Sequence, residues 1–154
     1  MIQPIWISAT VEFLPHLLLE AFLEFWRQHA EPLFKSTPYP EIAPHLVLMA
    51  FLHRVVNGGG TLEREYAIGS GRMDICLRDG DVVLGMGLKV WRDGKPDPLI
   101  QGLKQLDKYL SGLNLETGWL VIFDRRSGLP PVSDRTTTEN ATSPAGRNIT
   151  IIRG

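Results

Sequence analysis

Three runs of strand-forming residues, 61–68, 72–78 and 82–91, follow one another with only Gly69-Ser70-Gly71 and Asp79-Gly80 between them. The Gly, Ser and Asp of these links bound the runs as separate strands. Asp-Gly also suits the positive backbone angles of a tight turn, so the last two runs read as a hairpin. The chain is thereby committed to a sheet that contains this hairpin. What covers that sheet has to come from the flanking sequence.

Ahead of the strands, Thr10 is a candidate N-cap for a helix over 10–34, with Leu14, Leu17, Leu18, Ala21, Phe22, Phe25 and Trp26 at helical spacing. So wide an apolar face demands cover, from the rest of the chain or from a partner or upstream domain. Pro38-Tyr39-Pro40 breaks the chain. A second helix fits 42–56, with Pro44 tolerated in its first turn, and it is apolar nearly all round. Asn57-Gly58-Gly59-Gly60 stops it, since Asn and Gly accept the left-handed backbone that ends helices. Behind the strands, Asp97-Pro98 opens a third helix as N-cap and first-position proline, with Leu99, Leu103, Leu106, Leu110 and Leu113 as its buried stripe.

Residues 118–123 read as a buried strand and 148–152 as a returning edge strand. The Pro-, Thr-, Ser- and Arg-rich stretch 125–147 reads as a long loop. The predicted fold class is α/β: a mixed sheet flanked by helices, in the order α-β-β-β-α-β, with an extra N-terminal helix. The domain proper is expected over 40–154, with 1–39 as a helical extension.

Composition excludes several classes. A chain of 154 residues fits one domain, and 44% hydrophobic content is ample for a core. A formal charge of −1 argues against coating nucleic acid through bulk basicity, so any such binding needs a local patch. The lone Cys76 excludes an internal disulfide and a Cys-rich zinc site, and fits a reducing cytoplasm. No apolar run reaches the roughly 18 residues of a membrane span. There is no Gly-x-x-x-x-Gly-Lys phosphate loop.

Strand alternation sorts the side chains of the hairpin. Arg72, Asp74 and Cys76 share one face, and on the next strand Gly85, Gly87 and Lys89 share a face. Asp74, position 87 and Lys89 therefore converge on one patch. Phosphodiester hydrolysis uses a divalent cation to activate water and a further cation near the developing charge. A carboxylate and a lysine in this arrangement suit that chemistry. His16, His29, His45 and His53 have no metal-ligand spacing with acids.

These residues resemble a known family. Asp74, the x-x-Lys89 of the next strand and the α-β-β-β-α-β order look like the PD-(D/E)xK nuclease superfamily. The strings Val55-Val56-Asn57-Gly58-Gly59-Gly60, Arg64-Glu65-Tyr66, Gly71-Arg72-Met73-Asp74, Leu88-Lys89-Val90-Trp91-Arg92 and Gln105-Leu106-Asp107-Lys108-Tyr109-Leu110 are closer still. They are similar to the nuclease-like domain at the C-terminus of bacterial AAA-type ATPase-like proteins. The resemblance implies magnesium or manganese as cofactor, Asp74 as the first metal-binding acid, the Leu88 backbone carbonyl as a further ligand and Lys89 as the catalytic lysine. It implies that Gln105 and Tyr109 position the scissile region. It also implies nucleic acid as partner, DNA before RNA, an upstream ATPase domain, and leaves a homodimer open.

The departure is Gly87, which stands where the family carries its second acid. Glycine inside a strand signals a bulge or a close backbone approach, and it cannot ligate through a side chain. A degenerate copy, a deliberate substitution or a migrated acid would each explain it, with Glu65 and Glu63 the candidates for migration. Impaired catalysis is the expectation, with a non-catalytic module that binds nucleic acid or an ATPase as the alternative. Arg92 and Lys95, beyond the lysine strand, with Arg125 and Arg126, beyond the following one, form the candidate nucleic-acid patch.

Overall fold

The computed structural model of the chain describes residues 15–36, 48–49, 51–53, 60–67, 72–79 and 81–154. The Thr10 cap, the break at 38–40, Pro44, the stop at 57–59, the 69–71 link and Gly80 lie outside the described residues. Helix α1 (Pro15–Ser36) precedes a helical stretch containing residues 48–49 and 51–53. Then come β1 (Thr61–Ala67), β2 (Arg72–Asp79), β3 (Val82–Trp91), α2 (Leu99–Leu113) and β4 (Thr117–Asp124). A four-residue helix α3 (Val132–Arg135), β5 (Thr137–Thr142) and β6 (Asn148–Arg153) complete the chain.

The six strands form one mixed sheet in the order β1-β2-β3-β4-β6-β5. β1, β2 and β3 form an antiparallel meander, with Asp79 opposite Val82 so that only two residues separate β2 from β3. β3 and β4 are parallel, and α2 is the crossover their direction requires. β4 and β6 are parallel as well, and β5 pairs antiparallel with β6.

Each face of the sheet has its own apolar layer. On one face Leu18, Phe22 and Trp26, spaced four apart along α1, bury against Phe51, Met86, Leu88, Val121 and Phe123. Leu18, Phe22 and Trp26 of the α1 stripe are thus covered from within the chain, with Ala21 and Phe25 partly buried beside them. On the other face Leu103, Leu106 and Leu110 of α2 meet Leu120, Ile122, Ile149 and Ile151. Burying each such leucine is worth about 1.5–3 kcal/mol. Helices on both faces explain why β3 and β4 read as continuous buried runs rather than alternating ones.

Three expectations are corrected. Residues 125–147 are not one loop, since they contain α3 and β5. All of β5 except Ala141 is exposed, so its sequence carries no hydrophobic period to find. β6 is consequently interior rather than an edge, with Ile149 and Ile151 on one face and Ile152 on the other. At α2, Pro98 takes the cap position itself, and Asp97 still accepts a bond from Leu99 N at 3.0 Å. The helix ends at Asn114, whose φ of 57° is the left-handed backbone of a C-cap.

Candidate functional site

The register of the meander assembles the site. Asp74, in the middle of β2, lies opposite Glu65 on β1 and Gly87 on β3. Lys89 is two residues further along β3 and so shares the face of Gly87. That face is the one α2 covers. Asp74 is only 4% exposed and Lys89 6%. Charged groups this deep need polar partners. Lys89 Nζ donates to Gln105 Oε1 at 3.2 Å, so the central turn of α2 is tied to the middle of β3.

The glycines of this face are not equivalent. A Cβ on Gly85 would lie 2.6 Å from Leu110 Cδ2, and one on Gly118 would lie 2.9 Å from the Gly85 carbonyl oxygen. Those two are glycines because α2 and the neighbouring strand leave no room. At Gly87 the nearest atoms to a Cβ are Asp74 Oδ1 at 3.5 Å and Leu106 and Leu120 methyls at 3.6 Å, which is ordinary contact. Its φ is not positive, and pairing runs unbroken through it on both sides. The expected bulge or close approach is absent there. Neither backbone nor packing requires glycine at position 87, and a side chain placed there would extend from a point beside the Asp74 carboxylate.

No protein-family model, no curated protein and no solved structure matches the chain. The site therefore has to be judged on its own geometry.

For a divalent cation the described side chains of this patch supply one carboxylate, that of Asp74. Magnesium is held by one or two carboxylates with oxygen ligands around it. Among the described residues no group of three or more His, Cys, Asp or Glu side chains could hold a metal ion. The β1–β2 pairing sets Glu65 directly across from Asp74, as a migrated acid would require, but its side chain lies outside the described residues. Glu63 is not part of the site. It sits opposite Cys76, and its carboxylate takes a bond from Arg78 Nε at 3.3 Å near the surface. Leu88 lies between Met73 and Val121, so its peptide groups face the two neighbouring strands. Tyr109 packs half-buried against the α2-side apolar layer. Cys76 is buried, which pushes its thiol up; Arg78 opposes that and Glu63 adds to it.

The loops beyond β3 and β4 hold the four basic residues of the candidate patch. They are joined to one another: Arg125 N donates to the Trp91 carbonyl at 2.8 Å, and Ser127 N to Asp93 Oδ1 at 3.0 Å. Arg126 is committed to this junction. Its Nε and Nη2 bond both oxygens of Asp124 at 2.9 and 2.7 Å, and its guanidinium stacks 3.5 Å above the Trp91 ring. Arg92 and Lys95 are exposed, and the Lys95 carbonyl accepts from Trp91 Nε1 at 2.9 Å.

Two features escaped the sequence reading. Gly102, inside α2, lies against Lys89: a Cβ there would be 3.5 Å from Lys89 Cγ and 3.0 and 3.1 Å from the Leu120 methyls. A glycine in the interior of a helix, costing about 1 kcal/mol against alanine, was the available signal. Asp107, inside the Gln105–Tyr109 segment, anchors the β5–β6 turn instead of serving the site. It accepts from Ala145 N at 2.9 Å and Arg147 Nη1 at 3.3 Å.

Proposed function

We propose that the chain is a nuclease-like domain of the PD-(D/E)xK type whose phosphodiester-cleaving site is impaired at position 87. The observation that carries this is the state of Gly87. It faces a buried carboxylate, accepts a Cβ at ordinary contact distances and has no conformational need to be glycine. An acid there would complete a two-carboxylate patch beside Lys89. The buried Asp74 and Lys89 support the same reading, because apolar residues of similar volume usually serve stability at least as well as buried charges. Buried charges of this kind cluster at functional sites.

In this reading each residue has a distinct role. The Lys89 ammonium stabilises charge that develops on a phosphoryl oxygen. Gln105 holds that ammonium in place through its amide oxygen. Asp74 supplies the one described carboxylate, and Glu65 is the candidate for a second. Tyr109, four residues along the same helix face, would position the scissile region together with Gln105.

The single carboxylate among the described side chains of the patch, with glycine at position 87, favours a second reading: a non-catalytic module of the same fold that binds nucleic acid or an ATPase partner. The exposed Arg92 and Lys95 lie in the loop that would meet a phosphate backbone. A cleavage assay with magnesium or manganese, on this chain and on Gly87→Glu, separates the two. Activity that appears or rises in the variant upholds the nuclease reading. Two folded but inactive proteins that still bind nucleic acid leave the binding module.

A further inference from the structure

Gly102 is an unfavourable residue for the middle of a helix, where it costs about 1 kcal/mol against alanine. It is buried, and its amide closes the first turn of α2 on the Pro98 carbonyl at 2.7 Å. Its φ is not positive, so conformation does not call for glycine. Proximity does. A Cβ would be 3.0 and 3.1 Å from the two Leu120 methyls, tighter than side chains tolerate without moving, and 3.5 Å from Lys89 Cγ. The backbone of α2 rests at this point on Leu120 and on the lysine stem. Gln105 stands one turn further on, on the same side of the helix, where its Oε1 meets Lys89 Nζ.

We infer that Gly102 is a positioning residue for Lys89: it sets the height of α2 above β3 and β4, and so presses the lysine stem into the orientation that delivers its amine to Gln105. Gly112 provides an internal contrast. It belongs to the same helix and has nothing within 4 Å of its Cβ position, so an added methyl there disturbs no contact with the sheet. A methyl at 102 forces a shift of a few tenths of an ångström in Leu120 or in the helix, and a helix that shifts carries Gln105 away from the lysine amine. The inference rests on the reading of Lys89 as a site residue, but its test reads the amine itself and not cleavage.

The test measures acylation of Lys89 by a small amine-reactive reagent, followed by peptide mass analysis, on the full chain. Gly102→Ala is expected to speed modification of Lys89 about tenfold, the factor that corresponds to one lost hydrogen bond from a charged donor. Gly112→Ala should leave that rate unchanged. In Gly102→Ala/Leu120→Val the interfering δ-methyls are gone, and the rate should return towards that of the unmodified chain. This return is a rescue that general loosening of the helix would not produce. If Gly102→Ala fails to fold, the double variant decides: a folded protein with a slow Lys89 upholds the inference. Unchanged reactivity in a folded Gly102→Ala overturns it, and so does a double variant that stays fast or does not fold. A confirmed rescue with no cleavage by the chain or by Gly87→Glu would leave Gly102 as the positioning residue and remove the nuclease reading.

Discussion

Lys89 Nζ and Gln105 Oε1 meet at 3.2 Å, joining the middle of an interior strand to the helix that covers it. The bond makes the lysine part of the α2 interface as well as part of the site. Its stem packs as well: Lys89 is 6% exposed, and its Cγ lies under the backbone of α2 at Gly102.

Substitution of Lys89 should separate these two contributions. Lys89→Met keeps the stem and removes the donor, and is expected to cost about 1–3 kcal/mol as a buried acceptor loses its partner. Lys89→Ala should cost about 2 kcal/mol or more beyond that, because a cavity opens beneath α2. Urea unfolding of both variants checks the difference. Equal costs would mean that the stem contributes no packing.

At position 87, alanine and glutamate should behave oppositely. Gly87→Ala fits the available space and is expected to stabilise by about 0.4–1 kcal/mol, mainly by restricting the unfolded chain. Gly87→Glu sets a second carboxylate beside Asp74, so one of the pair holds its proton more tightly folded than unfolded. Stability then falls as pH rises from acid to neutral. Manganese should reverse that loss and bind more tightly than to the unaltered chain. Calorimetry showing equal binding to both proteins would reject the two-acid arrangement.

Acid should loosen the junction beyond β3 and β4. Burial alone would push the Asp124 carboxyl up, but the bonds from the Arg126 side chain and amide hold it below the usual range. Asp107 follows the same pattern, with burial opposed by bonds from Ser143, the Ala145 amide and Arg147. A depressed carboxylate stabilises the fold above its unfolded pKa of about 3.9 and loses that contribution as pH falls through its folded value. Asp124→Asn should flatten the acid limb of a melting-temperature profile below about pH 4. A limb unchanged by the substitution would place the acid sensitivity elsewhere.

Nucleic-acid binding is expected to be weak, with a shallow salt slope of about −0.9 per phosphate neutralised on duplex DNA. The structure narrows the patch. Arg126 is held by Asp124 and Trp91, so Arg126→Ala should lower stability more than affinity. Arg92→Ala/Lys95→Ala/Arg125→Ala should weaken binding uniformly across sequences. An unaltered affinity in the triple variant would favour docking to a partner protein.

The hairpin register and the placement of Asp74, Gly87 and Lys89 were legible because two-residue periodicity and a short Asp-Gly turn leave few alternatives, whereas the pairing of β1 with β2 came from the structure. The α2 stripe was legible for the same kind of reason, from leucines at helical spacing. β5 was not, because its five exposed residues pair through the backbone and carry no apolar alternation. The status of Gly87 was only half legible. Its side-chain face follows from alternation, whereas the space around it depends on how Leu106 and Leu120 pack from two distant segments. The commitment of Arg126 to Asp124 is similar: both residues are visible in sequence, but the stack on Trp91 exists only once β3 and β4 lie side by side.

Every glycine codon becomes an aspartate or glutamate codon when its second base changes from G to A. Position 87 is therefore one nucleotide away from an acid, and the Cβ of that acid would meet Asp74, Leu106 and Leu120 at 3.5–3.6 Å, which is ordinary contact. Gly85 and Gly118 are the same mutational distance from acids, yet there the helix or the neighbouring strand would be forced aside. Among Gly85, Gly87 and Gly118, position 87 is the one where the first atom of an acidic side chain enters without a neighbour having to shift.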